Sequence, residues 1–370
     1  MIERFDLAGA SLALAAPDAA LRRYVHAQMD PFAAGSQNGH GPADVVIETL
    51  ESAGAPRAGE RQNPARDGTV TLTDDGRLFV LAGGRACSVP DAAQDGPAVF
   101  AAQEGFPLPA VWRHAVRPAL HVKLNAHGAV AVHSAAVDAG GTAIAVAGWS
   151  ESGKTETALA LMEAGATFLS DKWTVVGPEG ASAFPIGVGV RRWVLPYLPT
   201  LRRALPPAAR ARMAVAGALA VGTAPLRRRE GRAASMLERG VVLADRAGLT
   251  PTEVREAYGQ TDDPARRIPL RALAVLVTSA DGRLHASEAD AAWAAARLAR
   301  SAGVERREYF ELHARAAYGL GGTEDGGRAA SVRADESILA GLLGDTRVLR
   351  VEAPFPVDPR RVAGAIEAAL

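Results

Sequence analysis

The sequence predicts an α/β fold, and three observations carry that expectation. Gly141 to Ala147 (GTAIAVA) is a short apolar run with β-branched residues, the pattern of a buried strand, and it leads straight into a glycine-bounded loop. Thr155 to Ala164 (TETALALMEA), beyond that loop, is built from good helix formers and stops at Gly165, a residue suited to the position just past a helix end. A second apolar run, Leu270 to Thr278 (LRALAVLVT), ends at Ser279-Ala280-Asp281-Gly282 and reads as another buried strand with its turn. A chain of 370 residues suits two domains. We divide it into residues 1–108, a small N-terminal α+β domain expected to recognise a substrate or partner, and residues 109–370, the α/β domain.

In the first part, Phe5 to Ala16 reads as one or two strands turning at Gly9. Asp18 to Met29 reads as a helix, with Leu21, Tyr24, Val25 and Met29 at helical spacing. Residues 31–43 have loop composition, Ala43 to Leu50 is a strand, and residues 51–67 are rich in Gly, Pro and Arg. Thr69 to Leu72 and Arg77 to Leu81 flank Thr73-Asp74-Asp75-Gly76, whose Asp-Gly is a strong hairpin signal. No catalytic constellation is visible here, and His26 and His40 read as surface residues.

In the second part, Pro109 to Ala126 predicts a helix kinked or broken before Pro118. Ala129 to Val137 predicts one strand bearing His133, antiparallel to the strand at 141–147 across a tight turn. Thr167 to Val176 predicts a further core strand, interrupted by Asp171. Ile186 to Val190 is a strand with close backbone approach, after which Arg191 or Arg192 is placed to face a bound nucleotide. Pro196 to Arg239 is largely helical; its Arg227-Arg228-Arg229 is either a docking surface or a solvated face. Ala286 to Ala302 predicts a helix with Ser287 as N-cap and Gly303 at its end, followed by a helix at Arg306 to Tyr318. Trp293, Leu298, Phe310, Leu312 and Tyr318 are expected to pack these two together, with His313 structural. A loop at 319–327, a short helix at Ser337 to Leu343, a strand at Thr346 to Val351 and an amphipathic helix at Asp358 to Leu370 complete the chain.

The loop itself reads Gly148-Trp149-Ser150-Glu151-Ser152-Gly153-Lys154-Thr155, the spacing G-x-x-x-x-G-K-T of a Walker A phosphate loop. Its setting between a strand and a helix aims backbone N–H groups and the positive helix end at a bound phosphate. The candidate nucleotide-binding residues are therefore Gly148, Trp149, Ser150, Glu151, Ser152, Gly153, Lys154, Thr155 and Glu156. Lys154 would reach the β- and γ-phosphates and Thr155 would ligate Mg²⁺. The competing reading is a plain Gly-rich turn. Asp171 stands in mid-strand, where a carboxylate is costly unless paired or near a metal. It suits acceptance of a proton from an attacking hydroxyl, against the alternative of a solvated sheet-edge Asp. Asp281 follows an apolar strand as a Walker B acid would, but Asp171 is the better candidate. His133 on residue chemistry alone is a hydrogen-bonded core histidine.

Gly153 to Leu161 (GKTETALAL), then Gly165 and Phe168-Leu169-Ser170-Asp171, resembles the loop region of HPr kinase/phosphorylase and its relatives. That family reads GKSETALEL, with a glycine one helix later and a strand ending in Asp. It also carries a His about twenty residues before the loop lysine in an H-[GAS]-x-x-V setting, here His133-Ser134-Ala135-Ala136-Val137. The resemblance extends loosely from Pro109 to the C-terminus. It implies a P-loop kinase core of HPr-kinase type, with ATP and Mg²⁺ as cofactors, Asp171, His133 and Lys154 in catalysis, and Thr155 and Asp171 at the metal. The acceptor would be a hydroxyl of a protein, a peptide (lasso-peptide precursors among them) or a small molecule. Two positions depart from the family, which has a second Asp where this chain has Lys172 and usually Gly where it has Glu151. Lys172 is expected to depress the Asp171 pKa, and Glu151 to restrict φ > 0 and bring a carboxylate near phosphates. The alternative is a nucleotide-binding regulatory or scaffold protein in which these two residues mark lost chemistry.

Composition narrows the partners. Forty-one basic and 41 acidic residues balance, which gives no bulk electrostatic case for nucleic acid or an anionic membrane. Only Lys123, Lys154 and Lys172 among the 41 are lysines, so Arg clusters reflect composition while each lysine is informative. The single Cys87 fits a reducing compartment, and we expect a cytoplasmic protein. Residues 7–16 are apolar but follow Glu3, Arg4 and Asp6, unlike a signal peptide, and no run reaches about 18 apolar residues. A homo-oligomer is compatible with the sequence.

Overall fold

The computed structural model describes residues 2–30, 32, 42–50, 69–72, 76–222, 240–241, 244–279, 281–319 and 327–370. It is a mixed α/β protein. The N-terminal sheet has seven strands in the order β1-β2-β3-β7-β6-β5-β4. They are β1 (Ile2–Leu7), β2 (Ala10–Ala15), β3 (Val45–Leu50), β4 (Thr69–Leu72), β5 (Leu78–Ala82), β6 (Arg85–Ser88) and β7 (Ala98–Gln103). The hairpin expected around Gly9 joins β1 to β2, with Leu7 opposite Ala10. Helix α1 (Ala19–Gln28) carries the chain from β2 to its parallel neighbour β3. Asp18 caps it, accepting from the Ala20 and Leu21 N–H groups at 2.8 Å each. His26 pairs with Glu3 at 2.6 Å. The β4–β5 hairpin is antiparallel as expected. Most of the two Gly/Pro-rich stretches, His40 and Arg227–Arg229 lie outside the described residues.

The helix expected at 109–126 is broken before Pro118. It runs as α2 (Pro109–Val111), a π-helical turn Trp112–Val116, and α3 (Arg117–Leu124). Pro118 has no N–H, and the wider turn absorbs the missing bond. Leu120 and Leu124 of α3 share one apolar core with Phe5, Leu14, Ile47 and Phe100 of the N-terminal sheet, and with Trp173, Phe184 and Tyr309. Residues on both sides of position 108 thus bury against each other.

The chain continues through β8 (Val130–Val132), β9 (Ser134–Asp138), β10 (Ala143–Gly148), α4 (Lys154–Glu163), β11 (Thr167–Ser170), β12 (Thr174–Gly177), β13 (Gly180–Ala183) and β14 (Val188–Arg191). Helices α5 (Pro199–Ala204) and α6 (Pro207–Gly222), β15 (Arg246–Leu249), α7 (Pro251–Ala257), β16 (Leu270–Thr278) and β17 (His285–Glu288) follow. It closes with α8 (Ala291–Glu305), α9 (Arg307–Gly319), α10 (Gly327–Leu342), β18 (Arg347–Ala353) and α11 (Pro359–Ala369). Six strands form a second sheet, β11-β9-β10-β16-β18-β17, in which β10, β16 and β18 are parallel. Alternation along β10 sends Ile144 and Val146 to the face covered by α4 and α11, and Ala143, Ala145 and Ala147 to the face covered by α8 and α10. The result is a three-layer α/β/α sandwich. The loop 148–153 leaves the carboxyl end of its central strand β10, where open α/β sheets form crevices.

Two expectations need correction at this level. The single strand at 129–137 is two strands, split at His133: β8 belongs to a three-stranded sheet, β13-β12-β8, and β9 to the six-stranded one. The strand at 167–176 is likewise split, β11 in the six-stranded sheet and β12 in the three-stranded one. The partners switch together, since β11 pairs with β9 and β12 with β8. Apolar patterning cannot reveal this, because both halves of each run are buried on both faces.

Further differences fall near the C-terminus. Residues 285–288 form β17, and Asp290, not Ser287, caps α8 by accepting from the Trp293 N–H at 2.9 Å. Gly303 does not end that helix: it lies inside, where a Cβ would run into Val332 of α10. The short helix at 337–343 is the end of the 16-residue α10. Trp293 and Leu298 pack into the six-stranded sheet, Phe310 and Leu312 against the N-terminal core, and Tyr318 is 81% exposed, so these five do not form one helix–helix contact. Among the described residues no helix is long and apolar enough to cross a membrane.

A buried ion pair joins the layers. Arg306, between α8 and α9, bonds Asp335 of α10, and Asp335 also accepts from Asn125 at 3.1 Å; both charged groups are nearly inaccessible. Removing one member leaves the other charged and buried, which costs about 3–5 kcal/mol. Asp335→Ala should therefore lower the unfolding free energy by that much, read as a lower urea midpoint at constant m, whereas Arg306→Met/Asp335→Leu together should cost less than Asp335→Ala alone. A single-mutant loss below about 1 kcal/mol would show that the pair is not holding the layers together.

Candidate functional site

The loop geometry follows from its glycines. Gly148 has φ 151°, and a Cβ there would lie 2.6 Å from Ser152 Oγ and 2.9 Å from the Leu276 carbonyl of β16. No other residue fits against the neighbouring strand without displacing it. Gly153 starts α4 without a side-chain cap, so the first amides of the helix have no side-chain partner from that position. Lys154 is 7% exposed and donates from Nζ to the Trp149 carbonyl at 2.7 Å, closing the loop on itself. Burial brings its pKa down to about 8, opposed by Asp171, Glu305 and Glu156. Ser152 Oγ is buried with no hydrogen-bond partner, while Trp149 is 59% exposed.

Asp171 reaches this loop. Thr155 Oγ1, in the first turn of α4, donates to Asp171 Oδ1 at 2.6 Å. Asp171 is 4% exposed, and its pKa is raised. Burial is the main cause, opposed by the Thr155 bond, the Lys172 backbone N–H, Lys154 and Arg246. This corrects the expectation of a depressed pKa. The Lys172 ammonium has different electrostatic partners: Glu305 favours its charge, and Arg113, Arg117 and Arg246 oppose it.

A strained turn arranges this divergence. Lys172 has φ 63°, and the Trp173 N–H donates to the Asp171 carbonyl at 2.7 Å, an i→i+2 bond that makes residues 171–173 a γ-turn of the rarer, positive-φ kind. Glu151 also has φ 63°. The substitution therefore does not prevent the left-handed conformation, and its carboxylate pairs with Arg191 of β14 at 2.5 Å. Of the two arginines considered for the nucleotide, Arg191 thus contacts Glu151 of the loop, whereas Arg192 pairs with Asp245 at 2.9 Å. Glu156 lies half-buried in the first turn of α4, its carboxyl bonded to its own N–H and its pKa raised by burial. Ser150 lies exposed at the loop tip.

His133 sits at the sheet switch, 5% exposed. Its Nδ1 is 3.3 Å from Ser301 Oγ and 4.0 Å from Glu305 Oε1, and its ring packs 5.4 Å from Trp173. Burial, with Lys154 and Lys172 nearby, pulls its pKa down to about 3, so it is neutral at physiological pH. No hydrogen bond joins it to Asp171. Asp281 is exposed and paired with Arg283, in no contact with the loop.

Sequence reasoning missed Glu305, whose carboxylate faces Lys154, Lys172 and His133, and Arg246, whose guanidinium packs over Gly189 and faces Asp171. Glu305 ends a helix in one direction of sequence and Arg246 is one of many arginines; neither carries a motif. The close approach expected in strand 186–190 was the one available signal for Arg246.

The site offers two oxygen donors 2.6 Å apart, a buried ammonium, an unpartnered hydroxyl and a glycine cradle that a Cβ would fill. That set fits phosphate oxygens and a hard divalent cation, which takes one or two protein oxygens and the rest from phosphates and water. Among the described residues no cluster of three or more His, Cys, Asp or Glu is set to hold a metal alone. No model of a known protein family matches the chain, and no curated protein matches it.

The switch is secured by hydroxyls. Thr174 Oγ1 accepts from Ser134 Oγ at 2.8 Å and lies 2.6 Å from Ser170 Oγ, all three buried. Thr174→Val would strand the Ser170 hydroxyl and leave Ser134 Oγ with its 3.4 Å bond to the Val132 carbonyl, at about 1–3 kcal/mol. Chemical denaturation should show that loss, and retained stability would mean that water replaces the bonds.

Proposed function

We propose that the chain is an ATP- and Mg²⁺-dependent kinase with a P-loop core of the HPr-kinase type, transferring the γ-phosphoryl group to a hydroxyl acceptor. The observation that carries this reading is the 2.6 Å bond between Thr155 of the loop helix and Asp171, which joins the phosphate-loop motif to a buried carboxylate. Lys154 and the loop amides bind the β- and γ-phosphates. Thr155 and Asp171 hold Mg²⁺, which when bound neutralises charge on the phosphate oxygens.

Asp171 orients the acceptor hydroxyl and accepts its proton. The hydroxyl oxygen forms a bond to the γ-phosphorus while the bond from that phosphorus to the β–γ bridging oxygen breaks, and the electron pair leaves with ADP. A raised carboxyl pKa makes Asp171 a better proton acceptor than an ordinary Asp, provided the medium is alkaline enough to ionise it. Neutral His133 positions the switch through Ser301 and stays available as a hydrogen-bond acceptor.

Lys154→Ala should lower ATP·Mg²⁺ affinity at least tenfold by calorimetry, since a charge-assisted contact is lost. Asp171→Asn should leave most nucleotide affinity and lose transfer, followed as slow ATP hydrolysis until an acceptor is in hand. If Lys154→Ala binds as wild type does, the nucleotide reading falls. If nucleotide binds but neither ATP hydrolysis nor transfer is detected with wild type, the regulatory or scaffold reading replaces the kinase.

The pH dependence has a definite sign. The free chain holds Lys154 at about 8, so above that pH the ammonium is increasingly neutral and bound phosphates must re-protonate it. Nucleotide affinity should fall as pH rises through 8, with proton uptake on binding, seen as a buffer-dependent calorimetric enthalpy. Proton release at pH 9 would contradict the assignment of Lys154.

A further inference from the structure

Among the described residues Arg113 and Arg117 have no acid paired with them, and Lys172, next to Asp171 in the chain, shares Glu305 with Lys154 and His133. Arg113 lies in the π-helical turn, Arg117 starts α3, and Lys172 occupies the γ-turn next to Asp171. Among the described residues none of their side chains makes a hydrogen bond or ion pair, and Arg117 Nε is buried without a partner. Packing brings them together. His121, one turn along α3 from Arg117, lies 4.3 Å ring to ring from Trp173, the residue after Lys172. Arg113 is exposed, whereas Arg117 and Lys172 are half-buried. Burial lowers the Lys172 and Arg117 pKa values, Arg117 to about 10, and mutual repulsion adds to both. Glu305 is the acid that offsets Lys172, and it is shared with Lys154 and His133. Holding like charges four residues apart and partly dehydrated is unfavourable unless an anion completes them.

We propose that Arg113, Arg117 and Lys172 form an oxyanion subsite beside Asp171, so that the hydroxyl acceptor also carries a carboxylate or phosphate group. The subsite stands on its own geometry; its assignment to the acceptor rests on the kinase reading. Lys172 and Asp171 are adjacent in the chain, Asp171 bonded to Thr155 and Lys172 interacting with Glu305, Arg113 and Arg117, so one substrate can present its hydroxyl to Asp171 and its anion to the cations. Arginine suits either oxyanion through paired N–H donors.

The test separates this subsite from the phosphate loop. Inorganic phosphate and, in a second arm, malonate are titrated calorimetrically into full-length Lys154→Ala, in which the loop contact is weakened. The same anions are then titrated into Lys154→Ala/Arg117→Gln/Lys172→Gln. We expect millimolar or tighter binding of at least one anion to the first, weakened tenfold or more in the second, and retained within about threefold by Lys154→Ala/Arg117→Lys. Preference for phosphate or malonate identifies the group. If the triple variant does not fold, Lys154→Ala/Arg113→Gln serves, with weakening again expected. Equal binding to all variants, or no binding of either anion to Lys154→Ala, would overturn the proposal. Absent ATP·Mg²⁺ binding in wild type with anion binding intact would remove the kinase reading and leave the subsite standing.

Discussion

Thr174 Oγ1 lies within 2.8 Å of the Ser134 and Ser170 hydroxyls, and at this contact two neighbouring strands leave one sheet for another. Had β8 and β9 run on as one strand, residue 133 would point into a packed layer, as would residue 171 in an unbroken β11–β12. Breaking both at one level frees His133, Asp171 and Lys172 from the ladder while their flanks stay anchored in strands. A strand break normally exposes backbone groups to unsatisfied burial. Here the γ-turn bond and the three hydroxyls supply partners, and the break can sit inside the protein rather than on a surface loop.

That placement sets the electrostatics. Around Lys154 the protein assembles Asp171, Glu305 and Glu156, whose charges offset part of the burial cost of the ammonium, while Asp171 and Glu156 repel each other. The groups directed at the loop are also satisfied internally: Lys154 by Trp149, Thr155 by Asp171, Glu156 by its own amide, Glu151 by Arg191. An arriving phosphate would exchange these bonds rather than add to them. Exchange nets about 0.5–1.5 kcal/mol per bond, so affinity depends on the charge-assisted contacts. Ser152 Oγ stands apart as the buried loop hydroxyl without a present partner.

Local signals in the sequence were sufficient for much of this. The strand–loop–helix unit, the β16 strand, both hairpins and the closing helix follow from periodicity and turn residues, which act over a few positions. The break before Pro118 was legible because proline removes a donor, although its π-helical form was not. The sheet switch was not legible: apolar runs through His133 and Asp171 look continuous when both flanks are buried, and the change of partner is a tertiary event. Ser287 has capping chemistry, yet pairing of 285–288 with β18 outcompetes the helix start, and Asp290 takes the cap three residues later. Loop, lysine and carboxylate could be nominated from residue type and spacing. Glu305 and Arg246 could not, because a helix end and a strand pairing far along the chain deliver them.

The γ-turn also explains how a lysine can stand at 172. A non-glycine residue with φ 63° carries backbone strain of about 1–2 kcal/mol, and the surroundings must over-determine it. They do so from three directions: Asp171 is held by Thr155, the Trp173 N–H by the Asp171 carbonyl, and the Trp173 ring lies between His121 and His133. With both neighbours fixed, residue 172 has no freedom to relax. An acid at this position would add like-charge repulsion with Glu305, where the lysine now supplies the compensating charge. The left-handed backbone itself suits Gly, Asn or Asp better, so what favours the lysine is its charge, which acts on Glu305, Arg113 and Arg117.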